Sequence, residues 1–231
     1  MLKQHKLKGI LIWTLRTMRD IKVSVDFWRY RKYLRRSLGQ TSKNYEQYLD
    51  VQLRRTLLKR NPSLRERTRL LIDEVAKLGD LGRCEVLCVG CRTVAEIDCF
   101  RQKGARCVVG IDLYSEHREI LVMDMHDLTF PDNRFDIIYC SHCLEHSYDI
   151  HQVVSEFVRV GRPGARVVVE IPTQFETQGA DLIDLRSLQS LYELFEPHLG
   201  RILWSEEQPP HTPRNESGTS IARTIFLVDK E

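Results

Sequence analysis

A three-residue turn, Gly90-Cys91-Arg92, follows the apolar run Val86-Leu87-Cys88-Val89 and precedes a helix start at Thr93. A second apolar run, Val108-Val109-Gly110-Ile111, ends on Asp112. These residue types in this order can hold a nucleoside. Glycine lets backbone approach a ligand at a helix N-terminus, and an acid closing the second strand accepts the hydroxyls of a ribose. Asp112 is equally suited to capping its own turn, and a plain βαβ crossover has the same outline. Thr93-Val94-Ala95-Glu96 has the form of a capping box, with Thr93 as the cap and Glu96 reaching back.

Two further groups carry chemistry. Asp124, in Met123-Asp124-Met125-His126-Asp127-Leu128, follows a third short apolar run and would share a sheet edge with Gly90 and Asp112. There its carboxylate can accept from an adenine amino group; a solvated loop acid is the alternative. His142-x-x-Glu145-His146 matches a zinc-protease spacing. On a helix these three residues would share a face, which makes a metal geometrically feasible, but the reading adopted is a ligand-lining turn without metal. His142 and His146 are then candidate general bases, because imidazole titrates near neutral pH; His126 is the next choice. Cys84-x-x-x-Cys88-x-x-Cys91 has an iron–sulfur spacing, but four residues of strand span about 13 Å, too far for one compact cluster.

The elements that must position these groups alternate. Predicted strands cover 84–89, 106–111, 119–123, 135–140, 165–171, 201–206 and 221–228, with helices at 94–103, 149–160 and 185–196. Gly161-Arg162-Pro163-Gly164 reads as a turn into the fifth strand, and the last two strands as an antiparallel hairpin. Alternation of this kind argues for a mostly parallel sheet covered on both faces. The N-terminal part reads as helices: Gly9 to Asp20, Val23 to Leu38, Asn44 to Lys59 and roughly 64–78, with a break at Asn61-Pro62-Ser63. The division expected is a basic helical arm, 1–63, and an α/β domain, 64–231.

Hydrophobic residues make up 42% of the 231 and charged residues 29%, which fits a globular chain rather than a disordered one. No apolar stretch reaches the length of a membrane span, and no cleavable signal pattern opens the sequence. Seven cysteines, four of them in apolar runs, fit buried thiols in a reducing compartment. A cytoplasmic protein is therefore expected. The net charge of +3 conceals a division: residues 1–70 hold 19 Lys and Arg against 5 Asp and Glu, a balance of +14. Residues 8–38 interleave aromatics with arginine. They are read as a cap over the site or as a peripheral contact with the inner membrane surface. Nucleic acid is not the expected partner, since aromatics at helical spacing usually form core.

Taken in order, Val86-Leu87-x-Val89-Gly90-Cys91, Gly110-Ile111-Asp112, Asp124-x-x-x-Leu128-x-Phe130-Pro131-Asp132-x-x-Phe135-Asp136, Leu144-Glu145-His146 and Arg162-Pro163-Gly164 before a strand resemble the class I S-adenosylmethionine-dependent methyltransferases, the small-molecule group above all. The resemblance covers residues 84–171 by motif and the rest of the domain by topology. The chain departs from it where Cys88 replaces an acid and where Arg92 and Val94 replace glycines. What it implies is a Rossmann-like α/β fold: a seven-stranded, mostly parallel sheet with an antiparallel last strand, preceded by the helical segment. It also implies S-adenosylmethionine as cofactor. Gly90, Cys91 and Arg92 would hold the methionine end, with Arg92 paired to its carboxylate. Asp112 and Leu113 would hold the ribose, Asp124, Met125 and His126 the adenine, and Ser141 would line the same cleft. The expected reaction is transfer of a methyl group to an oxygen or nitrogen of a small-molecule or lipid-linked acceptor. The acceptor pocket would draw on the N-terminal helices and residues 172–184. Two alternatives are a non-catalytic binding or scaffold protein of the same fold, and an RNA- or protein-methylating enzyme that uses the basic arm as a clamp.

Overall fold

The computed structural model describes Met18 and residues 20–32, 42–58, 65–215 and 217–230. The expected helix from Gly9, the end of the one from Val23, and the Asn61-Pro62-Ser63 break lie outside the described residues. The chain forms two compact units, Met1–Arg60 and Asn61–Glu231.

In the first unit, α1 (20–32) and α2 (Lys43–Leu58) are helical. Phe27 is buried, with the Arg54 guanidinium 4.0 Å from its ring centre. Arg31 Nε donates to Asp50 Oδ1 at 2.6 Å, which ties the two helices together. Along α2, Leu49, Leu53 and Leu57 recur every fourth residue and are buried, the spacing that aligns one helical face.

In the second unit, β1 (Glu85–Val89), β2 (Cys107–Asp112), β3 (Ile120–Val122), β4 (Phe135–Ser141), β5 (Gly161–Thr173), β6 (Leu199–Gln208) and β7 (Ser220–Val228) form one sheet. Its order is β3-β2-β1-β4-β5-β7-β6. The first five strands run parallel, and β7 is antiparallel to both neighbours. Central strands covered on both faces need apolar side chains at successive positions, and β1 and β4 supply them. On β5 the alternation is visible: Val167, Val169 and Ile171 enter one core with Phe157, Leu191 and Phe195, while Val168 enters the other with Leu71, Ile72, Ile97 and Phe100. The helices α5 (Ile150–Val160) and α6 (Leu188–Phe195) thus cover one face. The other is covered by α3 (Glu66–Lys77) and α4 (Ala95–Gln102). Helix α5 buries Ile150, Val153, Val154, Phe157 and Val158, and Asp149 caps it by accepting from the His151 and Gln152 amides.

Three local expectations are corrected. Helix α4 begins one residue later than a Thr93 cap requires: Val94 takes the N-cap position, no side chain caps the helix, and Glu96 faces the sheet edge instead of reaching back. Gly161-Arg162-Pro163-Gly164 belongs to β5, where Gly161 pairs with Phe135 before a shift in register. His142, Glu145 and His146 are not on one helical face. Leu144–His146 is a single 3-10 turn, and His142 precedes it with a φ of 52°.

Candidate functional site

Four loops leave the carboxyl edge of β1, β2, β3 and β4, and hydrogen bonds tie them together. The amides of Gly90 and Cys91 both donate to the Ile111 carbonyl, at 2.9 and 3.2 Å. Arg92 N–H donates to Asp112 Oδ2 at 3.0 Å, which joins the glycine turn to the acid of β2. Met123 N–H donates to the Asp112 carbonyl at 3.0 Å, and Cys143 Sγ lies 3.4 Å from Met125 Sδ. The expected ligand-holding residues Gly90, Cys91, Arg92, Asp112, Leu113, Met125 and Ser141 are therefore gathered on adjoining loops of one edge.

Two glycines make this approach feasible. Gly90 has a φ of 70°, and a Cβ there would lie 2.6 Å from Cys143 Sγ. A Cβ on Gly110 would lie 2.7 Å from both Cys91 Sγ and Ile97 Cδ1. Glycine-rich nucleotide loops reserve one glycine for close packing of helix on strand; here Gly110 provides that clearance from the strand side. Gly90→Ala should cost about 2 kcal/mol in urea unfolding, from the left-handed backbone and the clash. Adding Cys143→Ala removes the nearer atom and should recover part of that loss; no recovery would mean that backbone conformation alone sets the cost.

Asp112 is buried, and its Oδ1 accepts from the Tyr114 amide at 3.3 Å. Burial raises its carboxyl pKa, with Arg92 and the neighbouring amides acting against the rise. On α4, Glu96 stands among Glu170, Asp112, Arg92 and Arg67. Burial, together with Glu170 and Asp112, pushes its carboxyl up to about 8.

Asp124 and His126 have a further commitment. His126 Nδ1 lies 2.7 Å from Asp124 Oδ1, which also accepts from the His126 amide. The amides of Tyr148 and Asp149 donate to His126 Nε2, at 3.1 and 3.3 Å. A nitrogen that accepts two amide protons carries none, so Nδ1 holds the proton and donates it to Asp124. The ring, fully buried, anchors the loop before α5. As a ligand contact through its side chain, or as a base, it is corrected: both nitrogens are occupied.

A row of charge crosses the sheet beside these loops. Ser141 on β4, Glu170 on β5, Arg223 on β7 and Glu206 on β6 are successive cross-strand partners. Ser141 Oγ donates to Glu170 Oε1 at 2.9 Å, Arg223 Nε to Glu170 Oε2 at 2.6 Å, and Arg223 Nη1 to Glu206 Oε2 at 2.9 Å. Arg67 of α3 comes within 3.3 Å of Glu170 Oε1. Glu170 and Arg223 are fully buried. Burial alone would raise the Glu170 pKa, but His142, Arg67 and Arg223 prevail and hold the carboxyl well below the usual range.

His142 lies between two carboxylates, with Nε2 3.2 Å from Glu170 Oε1 and Nδ1 3.4 Å from Glu145 Oε1. Burial opposes its charge, yet the two acids outweigh burial and raise its pKa above 6.5. The two acids thus favour its protonated form, which has no lone pair to offer as a base, against the base role expected of His142. His146 Nδ1 faces the Ala180 carbonyl at 3.1 Å, an acceptor, so this nitrogen carries a proton. The Glu145 carbonyl accepts from the amides of Leu182 and Ile183, at 2.7 and 3.1 Å, which fastens the loop after β5 to the same turn. Glu145, His146 and Asp181 are spaced closely enough to share an ion, with His146 Nδ1 also 3.1 Å from Asp181 Oδ1.

Sequence reasoning assigned Glu96 to a capping box and passed over Glu170, Arg67 and Arg223. The signal for the central pair was present: one acid within Val167-Val168-Val169-Glu170-Ile171 and one base within Ile221-Ala222-Arg223-Thr224-Ile225. Lone opposite charges in two apolar strands are tolerated in a core only as partners.

Residues 87–169 match the family model described as a methyltransferase domain. A 48-residue stretch is 38% identical to ajmaline N-methyltransferase of Rauvolfia serpentina, covering 21% of this chain and 16% of that protein. A stretch of the same length is 42% identical to a probable chloroplastic tocopherol O-methyltransferase of Oryza sativa subsp. japonica, covering 21% and 13%. The matched part is thus less than a fifth of either relative's length. Among solved structures, the 1,6-didemethyltoxoflavin-N1-methyltransferase of Burkholderia thailandensis, with bound substrate and S-adenosylhomocysteine, superposes with a TM-score of 0.59 at 18% identity, over 71% of this chain and 79% of that one. The cyclase SpnF superposes with a TM-score of 0.56 at 18% identity, over 71% and 81%. One fold carries both chemistries, so the site must decide the function.

Proposed function

We propose that this chain, whose residues 87–169 match a methyltransferase domain model, transfers a methyl group from S-adenosylmethionine to an oxygen or nitrogen of a small-molecule acceptor. The observation that carries this reading is the bond from Arg92 N–H to Asp112 Oδ2 at 3.0 Å. It puts the glycine turn and the β2 acid on one edge, where a nucleoside needs both. The residues present suit that cofactor. Asp112 offers a carboxylate to the ribose hydroxyls. Arg92 offers a cation to the carboxylate of the methionine end. The family's usual acid is missing at Cys88, and Glu96, in the first turn of α4 after the glycine turn, is the carboxyl this reading assigns to the ammonium in its stead.

When bound, the cofactor supplies a methyl group already activated by the sulfonium. The protein's part is to orient the acceptor and to keep water out. An amine acceptor needs little more. For a hydroxyl acceptor we assign the base to His146: the Ala180 carbonyl and Asp181 Oδ1, each 3.1 Å from Nδ1, favour a proton there, and Nε2, farther from its own acid at 3.7 Å from Glu145 Oε1, is the nitrogen left to take a proton. The loop held by the Glu145 carbonyl would form one wall of the acceptor pocket.

A linkage follows from Glu96. With its carboxyl near 8, it is protonated in the free protein at neutral pH, and a cationic ligand favours its ionised form. Ligand binding therefore releases a proton, and the Kd for S-adenosylmethionine should fall by up to about tenfold per pH unit until pH passes that value. Calorimetry across that range checks it. Glu96→Gln should bind about tenfold more weakly with a flat profile; a flat wild-type profile would remove Glu96 from the site. Transfer itself is tested with methyl-labelled cofactor and a panel of phenols, alcohols and amines. Formation of S-adenosylhomocysteine above the acceptor-free blank supports the reading, and tight cofactor binding with no turnover on any of them would favour a binding protein.

A further inference from the structure

Helix α1 has two apolar faces, and the first unit uses one of them. Phe27 is buried, with Arg54 over its ring, and Val23 and Tyr30 flank it half-buried. On the opposite side, Met18, Ile21, Val25 and Trp28 are 66, 59, 61 and 62% exposed. Their spacing of three, four and three residues keeps them within one narrow stripe of a 3.6-residue helix. Four large apolar side chains exposed in a row are uncommon on a soluble surface and mark a contact site. Exposed Lys22, Arg29 and Lys32 border the stripe, while the two acids of the helix, Asp20 and Asp26, lie away from it. Residues 1–60 carry 16 Lys and Arg against 4 Asp and Glu.

We propose that the Met18–Ile21–Val25–Trp28 face of α1 docks on an anionic bilayer, with the stripe in the acyl boundary and Lys22, Arg29 and Lys32 among the headgroups. An apolar stripe bordered by cations, with a tryptophan in it, is the composition of an interfacial helix. No described helix is long and apolar enough to cross a membrane, so the contact is peripheral. The charge of the unit selects the occupant: an acidic lipid surface draws juxtaposed lysines and arginines, whereas a self-complementary contact between two copies would bring these cations together. The inference concerns the first unit alone and does not depend on the methyl-transfer reading.

Flotation of the full chain with vesicles of phosphatidylcholine, with or without phosphatidylglycerol, tests it. Binding is expected only when phosphatidylglycerol is present and should weaken with salt. Trp28→Ala should lower the partition coefficient about tenfold. Each of Lys22→Ala, Arg29→Ala and Lys32→Ala should lower it about fivefold. Trp28 also meets the Phe27 ring edge-on at 5.8 Å and lies under the Arg31 guanidinium at 5.4 Å, so thermal melting is measured beside each partition coefficient, and Arg29→Ala and Lys32→Ala should weaken binding with melting unchanged. A Trp13→Phe/Trp204→Phe protein leaves the stripe intact and Trp28 as the sole indole; its emission should shift to the blue on phosphatidylglycerol vesicles. Three results would overturn the proposal: no flotation with the acidic vesicles, equal flotation of wild type and a Val25→Asp/Trp28→Asp protein, or a wild-type oligomer that ignores lipid and dissociates on that double change.

Discussion

Asp112→Asn should bind S-adenosylmethionine at least a hundredfold more weakly than wild type while melting at the same temperature or higher. On the proposed reading the two effects separate, because Asp112 serves the ligand at the expense of the fold. Its buried carboxyl has a raised pKa, so the ionised form costs stability at every pH above the ordinary 3.8. Asparagine keeps one oxygen for the Arg92 or Tyr114 amide and removes that charge. What it cannot replace is a charged acceptor for two ribose hydroxyls, and charge-assisted bonds are about twice as strong as neutral ones. Titration calorimetry and thermal unfolding of the same preparations check both halves. A variant that loses stability yet keeps its affinity would make Asp112 a turn cap.

Glu170→Gln should behave in the opposite way, with a loss of about 3 to 5 kcal/mol in urea unfolding at neutral pH. The amide cannot balance Arg223, Arg67 and His142, and breaking a buried ion network by removing one partner leaves uncompensated charge in the core. The pH dependence has a definite sign. Glu170 has a lowered pKa in the folded chain, so its contribution is present above the ordinary 4.5 and is lost as pH falls toward the lowered value. The stability gap between wild type and Glu170→Gln should therefore be full at neutral pH and narrow on acidification. A loss below about 1 kcal/mol would show that water, rather than Glu170, satisfies those cations.

Much of this architecture was legible before any coordinates. The βαβ pattern, the succession of strands along the chain and the antiparallel last hairpin follow from apolar runs and their spacing, because parallel central strands can be built from little else; the seven-strand arrangement was implied by the family resemblance. The loops were legible for a related reason: glycine, acid and imidazole interrupt those runs at the strand ends. The roles within the loops were harder to read. His126 and His142 both follow the end of an apolar run, yet His126 Nε2 accepts two amides and His142 faces two carboxylates; only tertiary placement distinguishes the ring that anchors a loop from the one held between acids. The helix face drawn for His142, Glu145 and His146 failed because a left-handed residue at position 142 precludes an α-turn there. Glu96 was misplaced because a local rule, the capping box, competed with the pull of a buried polar cluster on the sheet edge, and the cluster prevailed.

The central claim is that the carboxyl edge of β1 and β2 receives an adenosyl amino acid. Calorimetric titration of S-adenosylhomocysteine into the full chain tests it most directly, since the product needs no acceptor and undergoes no turnover. The account expects one site per chain, saturable, with affinity lost in Asp112→Asn. Heat no greater than dilution, or equal binding by wild type and Asp112→Asn, would contradict it.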